Sequence, residues 1–99
     1  MVSEVLSEVE PYMYYFYILR CSDNSLYCGM TTNLENRIKE HNGMKGAKYL
    51  RAKKPFKLIY KEEYLDIKSA MQRELQIKRW PKAKKEALIK GNLKLLKEL

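Results

Sequence analysis

The sequence is short of the residues that define several familiar classes of small protein. It has two cysteines, Cys21 and Cys28, too few for a disulfide scaffold or a four-ligand zinc site. No apolar run approaches the roughly 20 residues that cross a bilayer. The first residues also lack the basic-then-apolar order of a secretory leader. The expectation is a cytoplasmic protein with no membrane partner. There is no internal repeat or low-complexity tract, and 99 residues leave room for one modest core but not two.

Negative charge is scarce in one half only. Residues 1–50 carry five Lys/Arg and six Asp/Glu, whereas residues 51–99 carry fifteen and six. A near-neutral half joined to a strongly basic one points to a face that attracts polyanions, nucleic acid being the commonest. Hydrophobic residues at 45% and charged residues at 32% are the proportions of a folded domain, not of a disordered tail.

Residues 1–11 place Val2, Val5, Leu6 and Val9 on one stripe ahead of Pro11 and read as an N-terminal arm. Residues 12–90 carry the alternation and periodicity of a domain, and residues 91–99 read as a C-terminal helical tail. Tyr12–Cys21 is dense in aromatic and branched residues on both faces, as in a central strand. After Ser22-Asp23-Asn24-Ser25, Leu26–Thr31 returns as its partner. Thr32 and Glu35 form a capping box opening a helix to Asn42, with Gly43 as a left-handed stop. That helix turns Leu34, Arg37, Ile38 and His41 inward. Gly43–Pro55 is a basic loop, and Phe56–Tyr64 alternates as a half-buried edge strand. Asp66 caps a helix from Ile67 to about Arg79, with Glu74 in the middle of its inward face. Helix Lys82–Lys90 follows Pro81 and ends at Gly91.

The hairpin register decides whether Tyr17 and Tyr27 can act together. Paired positions have a constant sum, and residues of equal parity share a face only if that sum is even. A two- or four-residue loop centred on Asp23-Asn24 separates the two rings, while a three- or five-residue loop unites them. The expected turn is the odd one, of the three-residue type with a bulge. The same register sends Cys21 and Cys28 to opposite faces as unpaired thiols.

Each polar candidate also has an ordinary explanation. Arg37 and His41 can reach over a sheet edge to solvent, and tyrosine is common in this chain, with eight residues. A buried-face carboxylate such as Glu74 needs an ion-pair partner (Arg37 or a lysine) or a bound cation. Magnesium requires only one or two protein carboxylates, which leaves a divalent-metal role open to it.

Tyr15-Phe16-Tyr17, nine residues, then Tyr27-Cys28-Gly29, followed by Thr31, Leu34, Arg37, His41 and a later helical glutamate, resembles the GIY-YIG endonuclease domain. Gly46-Ala47-Lys48-Tyr49 with Glu74 downstream is similar to its short, single-domain bacterial branch. The resemblance spans Tyr12 to Ile89. It implies an α+β fold, a small three-stranded antiparallel sheet flanked by helices, and hydrolysis of a phosphodiester in nucleic acid, DNA ahead of RNA. It implies that Tyr17 is the general base or its relay, that Tyr27 positions phosphate and water, and that Arg37 clamps the phosphate. His41 would assist Tyr17, and Glu74 would hold Mg²⁺ or Mn²⁺. Tyr15 and Phe16 depart from the first motif, Cys28 from the second, Met30 follows Gly29, and a late asparagine is absent at its usual spacing. A tyrosine base requires nearby cations, since its ordinary pKa is about 10.

Binding is expected from Lys45, Lys48, Arg51, Lys53 and Lys54, and from the basic residues of the last helices, with shape rather than base sequence recognised. The resulting expectation is a structure-selective nuclease of DNA repair or recombination, alone or with a protein partner. The alternatives are a non-catalytic nucleic-acid-binding module of the same fold, and an interaction domain for an acidic protein.

Overall fold

The computed structural model describes residues 13–43 and 53–98; the expected arm at residues 1–11 lies outside these. Three strands, β1 (Tyr14–Arg20), β2 (Leu26–Thr31) and β3 (Lys57–Tyr64), form one antiparallel sheet in the order β2-β1-β3. Helix α1 (Leu34–Asn42) follows β2, and α2 (Ile67–Lys78), α3 (Lys82–Lys90) and α4 (Leu93–Glu98) follow β3. The α+β class, the central position of β1 and the edge position of β3 agree with the sequence reading. Among the described residues no helix is long and apolar enough to cross a membrane.

The hairpin takes the odd loop. Tyr17 pairs with Gly29 and Leu19 with Tyr27. Cys21 N–H donates to the Ser25 carbonyl at 2.9 Å, and the Asn24 N–H donates to the Cys21 carbonyl at 2.9 Å. Asn24 sits at φ 70°, the left-handed position that asparagine tolerates and a three-residue turn with a bulge demands. Asp23 locks the turn by accepting from the Ser25 amide at 3.0 Å. Cys21 and Cys28 are buried and free, in separate clusters on the two faces.

One face packs Phe16, Ile18 and Cys28 against Ile77 and Leu88. The other packs Tyr17, Leu19 and Cys21 against Phe56, with Tyr27, Leu34 and Ile38 around them. Strand β3 serves both faces. Its pairing slips between Ile18 and Leu19, so that Tyr60 lies opposite Ile18 but Leu58 opposite Leu19. This bulge at Ile59 reverses the facing of everything before it. Phe56 and Leu58 therefore join the Tyr17 face, while Tyr60 and Tyr64 join the Phe16 face. A single alternating pattern in sequence conceals that division.

Helix termini differ from expectation in two places. The cap of α1 is Asn33, whose side chain accepts from the Asn36 amide at 3.0 Å, and not Thr32. Strand β2 runs to Thr31, and Thr31 Oγ1 accepts from the Asn33 amide at 3.2 Å, which places Asn33 at the helix entrance. Gly43 ends α1 in an extended conformation, φ −85°, rather than a left-handed one. Asp66 caps α2 as expected, accepting from the Ser69 amide at 2.8 Å. Gly91 ends α3 at φ 71°, where glycine carries no Cβ penalty.

Candidate active site

The hydroxyl of Tyr17 anchors the candidate residues of the hairpin and α1, through its bond to His41. Tyr17 belongs to the central strand and is 1% exposed. Its cross-strand neighbour is Gly29, and its ring lies over that residue. A Cβ there would stand 2.4 Å from Tyr17 Oη. Glycine in the second motif is thus a steric requirement of tyrosine in the first. At the end of the ring, Tyr17 Oη and His41 Nε2 are hydrogen-bonded at 3.1 Å.

His41 is the buried residue of α1. Its ring lies edge-on to Tyr27, with centroids 5.0 Å apart, and tilted against Phe56 at 5.4 Å. The aromatic enclosure is completed by Phe56, the residue just before β3, which the bulge places on this face. Asn42 fixes the end of α1 to the same place: its Oδ1 accepts from the Phe56 amide at 2.7 Å and its Nδ2 donates to the Phe56 carbonyl at 3.3 Å. Sequence reasoning passed over Asn42. The only available signal was an amide side chain at a helix end, which is too common to single out.

Arg37, one turn earlier on α1, is half-exposed and loosely paired with Glu40 at 3.6 Å. Exposed pairs of this kind contribute little, so the guanidinium is available to an incoming anion. Glu74 approaches from α2, on the other face of the sheet. It is half-buried and makes no hydrogen bond or ion pair with another described residue. Its charge reaches both the Tyr17 hydroxyl and the Cys28 thiol. Glu74 stands at the border of the inward face of α2 and not in its middle. Ala70 and Ile77 are the buried residues, while Ile67, Met71 and Leu75 are exposed. Tyr17 and His41 are bonded to each other, Tyr27 packs on His41, and Arg37 lies one turn away on the same helix, whereas Glu74 belongs to the helix on the opposite face of the sheet and acts on Tyr17 through its charge. A cleft of about 300 Å³ lined by Arg20, Cys21, Ser22, Pro55, Lys57 and Ile59 is separate and contains none of them.

The electrostatics set protonation states. Burial pushes the Tyr17 hydroxyl far above the ordinary phenol range, Tyr27 and Glu74 add to this, and Arg37 only partly opposes it. The cation anticipated as lowering Tyr17 is present, but desolvation outweighs it. His41 is shifted the other way: burial first, then Arg37, hold its pKa below the usual value against the weaker pull of Glu40. At neutral pH the pair is a phenol and a neutral imidazole.

Among the described residues no group of three metal-ligating side chains exists. One carboxylate free of internal partners fits a magnesium-type ion, which takes oxygen ligands and keeps waters and substrate phosphate for its remaining positions. It does not fit a zinc-type cage. Of the basic loop, Lys45, Lys48 and Arg51 lie outside the described residues. Lys53 is held by Asp23 at 3.6 Å and donates to Ser25 Oγ at 3.3 Å, and Lys54 donates to the Gly43 carbonyl at 3.2 Å.

An antiparallel sheet with paired tyrosines from a hairpin and a helical Arg/His face is the frame of a nuclease domain. Residues 13–87 match the model of the GIY-YIG catalytic domain, and the chain belongs to that family. It is 44% identical over 81 residues to a UPF0213 protein of Bacillus pumilus, covering 82% of this chain and 83% of that one. A UPF0213 protein of Natronomonas pharaonis is 46% identical over 76 residues, covering 77% and 89%. Among solved structures, a UPF0213 protein of Bacillus halodurans shares 41% identity at a TM-score of 0.53, covering 79% of this chain and 83% of that one. A protein of E. faecalis shares 38% at 0.58, covering 80% and 84%. The family's chemistry is nucleic-acid cleavage, typically with a divalent metal.

Proposed function

We propose that this protein is a divalent-metal-dependent endonuclease that hydrolyses phosphodiester bonds in DNA, selects branched or flapped structures, and acts on intermediates of repair or recombination. The observation that carries the reading is the 3.1 Å hydrogen bond between Tyr17 Oη and His41 Nε2. A phenol this buried is a poor base by itself, but as a relay it needs no free phenolate. With Nε2 unprotonated, Tyr17 donates to His41. A water at the rim passes its proton to Tyr17 Oη as the Tyr17 proton moves to His41, and the water oxygen bonds to phosphorus. The opposite P–O bond breaks, and the departing oxygen takes a proton from solvent.

Arg37 donates to the non-bridging phosphate oxygens and offsets charge growing on them. Tyr27, packed on His41, orients the phosphate and holds the imidazole. Glu74 would hold Mg²⁺ or Mn²⁺, which when bound would supply Lewis-acid stabilisation of the leaving oxygen. Backbone binding falls to cations without ion-pair partners among the described residues, such as Lys78, Arg79, Lys82 and Lys85. Contacts of this kind read phosphate geometry, not base identity, which favours selection by shape. The basic loop, Lys45 to Lys54, supplies further contacts.

The test is nicking of branched and linear DNA under Mg²⁺ and Mn²⁺ by wild type, Tyr17→Phe and Glu74→Ala. Metal-dependent nicking of the branched substrate by wild type alone supports the proposal. Salt-dependent binding without nicking in either metal replaces it with a non-catalytic binding module of the same fold.

A further inference from the structure

Helix α2 sits on the sheet in a way its apolar residues do not explain. Only Ala70 and Ile77 are buried. Ile67, Met71 and Leu75, at i, i+4 and i+8, form an apolar ridge that is 48%, 45% and 55% exposed. Rolling the helix by a fraction of a turn would carry that ridge toward the sheet, as the hydrophobic effect favours. Glu74 would then be turned away from its present facing.

A polar clamp opposes this roll. Arg73 Nε and Nη2 donate to Glu62 Oε1 and Oε2 on β3 at 2.8 and 3.0 Å. The same carboxylate accepts from the Tyr60 and Tyr64 hydroxyls, each at 2.5 Å, so Glu62 is held from four directions. Arg73 also lies over the Trp80 ring. Successive helical residues diverge by about 100°. Arg73 and Glu74 therefore flank the buried Ala70–Ile77 line on opposite sides. With Arg73 tied to β3 at one edge of the sheet, Glu74 must face β2 at the other, where its charge reaches Tyr17 and Cys28.

We propose that the Arg73–Glu62 pair is a positioning device, which sets the roll of α2 against the pull of its apolar ridge and thereby presents Glu74 to the Tyr17 site. The metal part of this inference rests on the proposed function; the roll does not. Arg73 and Glu62 act through Glu74 and touch no reacting atom.

Two readouts on the intact protein test it. The first is Mn²⁺-induced broadening of amide signals around Glu74, followed as a titration, with Glu74→Ala as the blank. The second is relaxation of the Met71 methyl signal by a soluble paramagnetic probe, which reports its exposure. Glu62→Gln and Arg73→Lys keep the shape or the charge of the clamp but not its bidentate ion pair. Both turn Glu74 from its present facing, and are expected to weaken Mn²⁺ binding about tenfold, the effect of misplacing a ligand by a part of a helical turn, and to at least halve the relaxation of Met71. Leu75→Gln removes part of the inward pull and should restore both readouts in the Arg73→Lys background. Arg20→Lys, which loses the bidentate geometry of the separate pair with Glu86, should lower thermal stability and leave both readouts alone.

Mn²⁺ affinity and Met71 relaxation within twofold of wild type in both clamp variants would overturn the proposal. So would equal changes in Arg20→Lys, since the effect would then be general loosening. If Mn²⁺ broadens nothing near Glu74 in wild type, the metal reading fails and Met71 alone decides whether the clamp sets the roll.

Discussion

Gly29→Ala is the sharpest perturbation available, because elementary propensity and the structure give it opposite signs. In a strand, alanine for glycine ordinarily stabilises by about 0.4–1 kcal/mol, through the smaller entropy of the unfolded chain. Here the new Cβ would meet Tyr17 Oη at 2.4 Å, Cζ at 2.6 Å and Cε2 at 3.1 Å, against an ordinary contact of 3.4–4 Å. The ring cannot swing aside freely, since it is 1% exposed and its hydroxyl is bonded to His41. Recession of about 1 Å is required, and overpacking of this kind costs about 1–3 kcal/mol. The expected outcome is a lower melting temperature, each kcal/mol counting for about 4–8 °C in a domain of this size. Displacing the Tyr17 hydroxyl by that distance should also slow cleavage about 10²-fold. Thermal denaturation and single-turnover nicking measure the two effects. Tyr17→Val removes the ring, so in that background the cost of Gly29→Ala should vanish. A stabilised, fully active Gly29→Ala protein, or a cost that survives in Tyr17→Val, refutes the account.

Three further outcomes follow from the site. The depressed pKa of His41 means that the unfolded chain binds the extra proton more readily, so stability should fall as pH drops below about 6.5 and level off below the folded-state value. A denaturation midpoint measured against pH should show that slope in wild type and lose it in His41→Gln. Asn42→Ala leaves the buried Phe56 amide without its 2.7 Å partner, at a cost of about 1–3 kcal/mol, and should broaden the His41 ring signals in NMR while leaving those of α3 sharp. Cys21 and Cys28, buried on opposite faces, should react with a thiol reagent only at the rate of unfolding and form no intramolecular disulfide under oxidant.

Parity and capping made much of this legible before any coordinates. Strand β2 and helix α3 were read at their observed limits, because turn residues and Pro81/Gly91 bracket them. The shared face of Tyr17 and Tyr27 rests on the odd loop, which parity makes a condition of a common site and the observed register supplies. What was hidden depends on distant pairings. The bulge at Ile59 leaves the polar/apolar alternation of β3 intact in sequence while dividing it between two faces. Periodicity puts Glu74 in the middle of the inward face of α2, whereas Ala70 and Ile77 are the residues buried there and Glu74 lies at its border. Nor could spacing foresee that burial at Tyr17 outweighs a nearby arginine. Charge balance is a sum over neighbours, and desolvation depends on all of them at once.

The sheet is asymmetric in its chemistry for a related reason. On the Phe16 face the polar residues nearest the sheet are firmly paired: Glu62 with Arg73 and two tyrosines, Glu86 with Arg20. The burial that would raise the Glu62 carboxyl is overcome by those partners, which hold it below its usual range. On the Tyr17 face the buried phenol and imidazole are bonded to each other, and the same burial moves both groups toward their neutral forms. A neutral donor bonded to a neutral acceptor costs little to bury, which lets the pair sit in a core. It is also the protonation state from which a proton can be relayed in either direction. Stability and the proposed reactivity therefore demand the same arrangement at Tyr17 and His41, and they diverge at Arg37, whose exposed charge is only loosely paired, and at Glu74, which has no hydrogen bond or ion pair among the described residues.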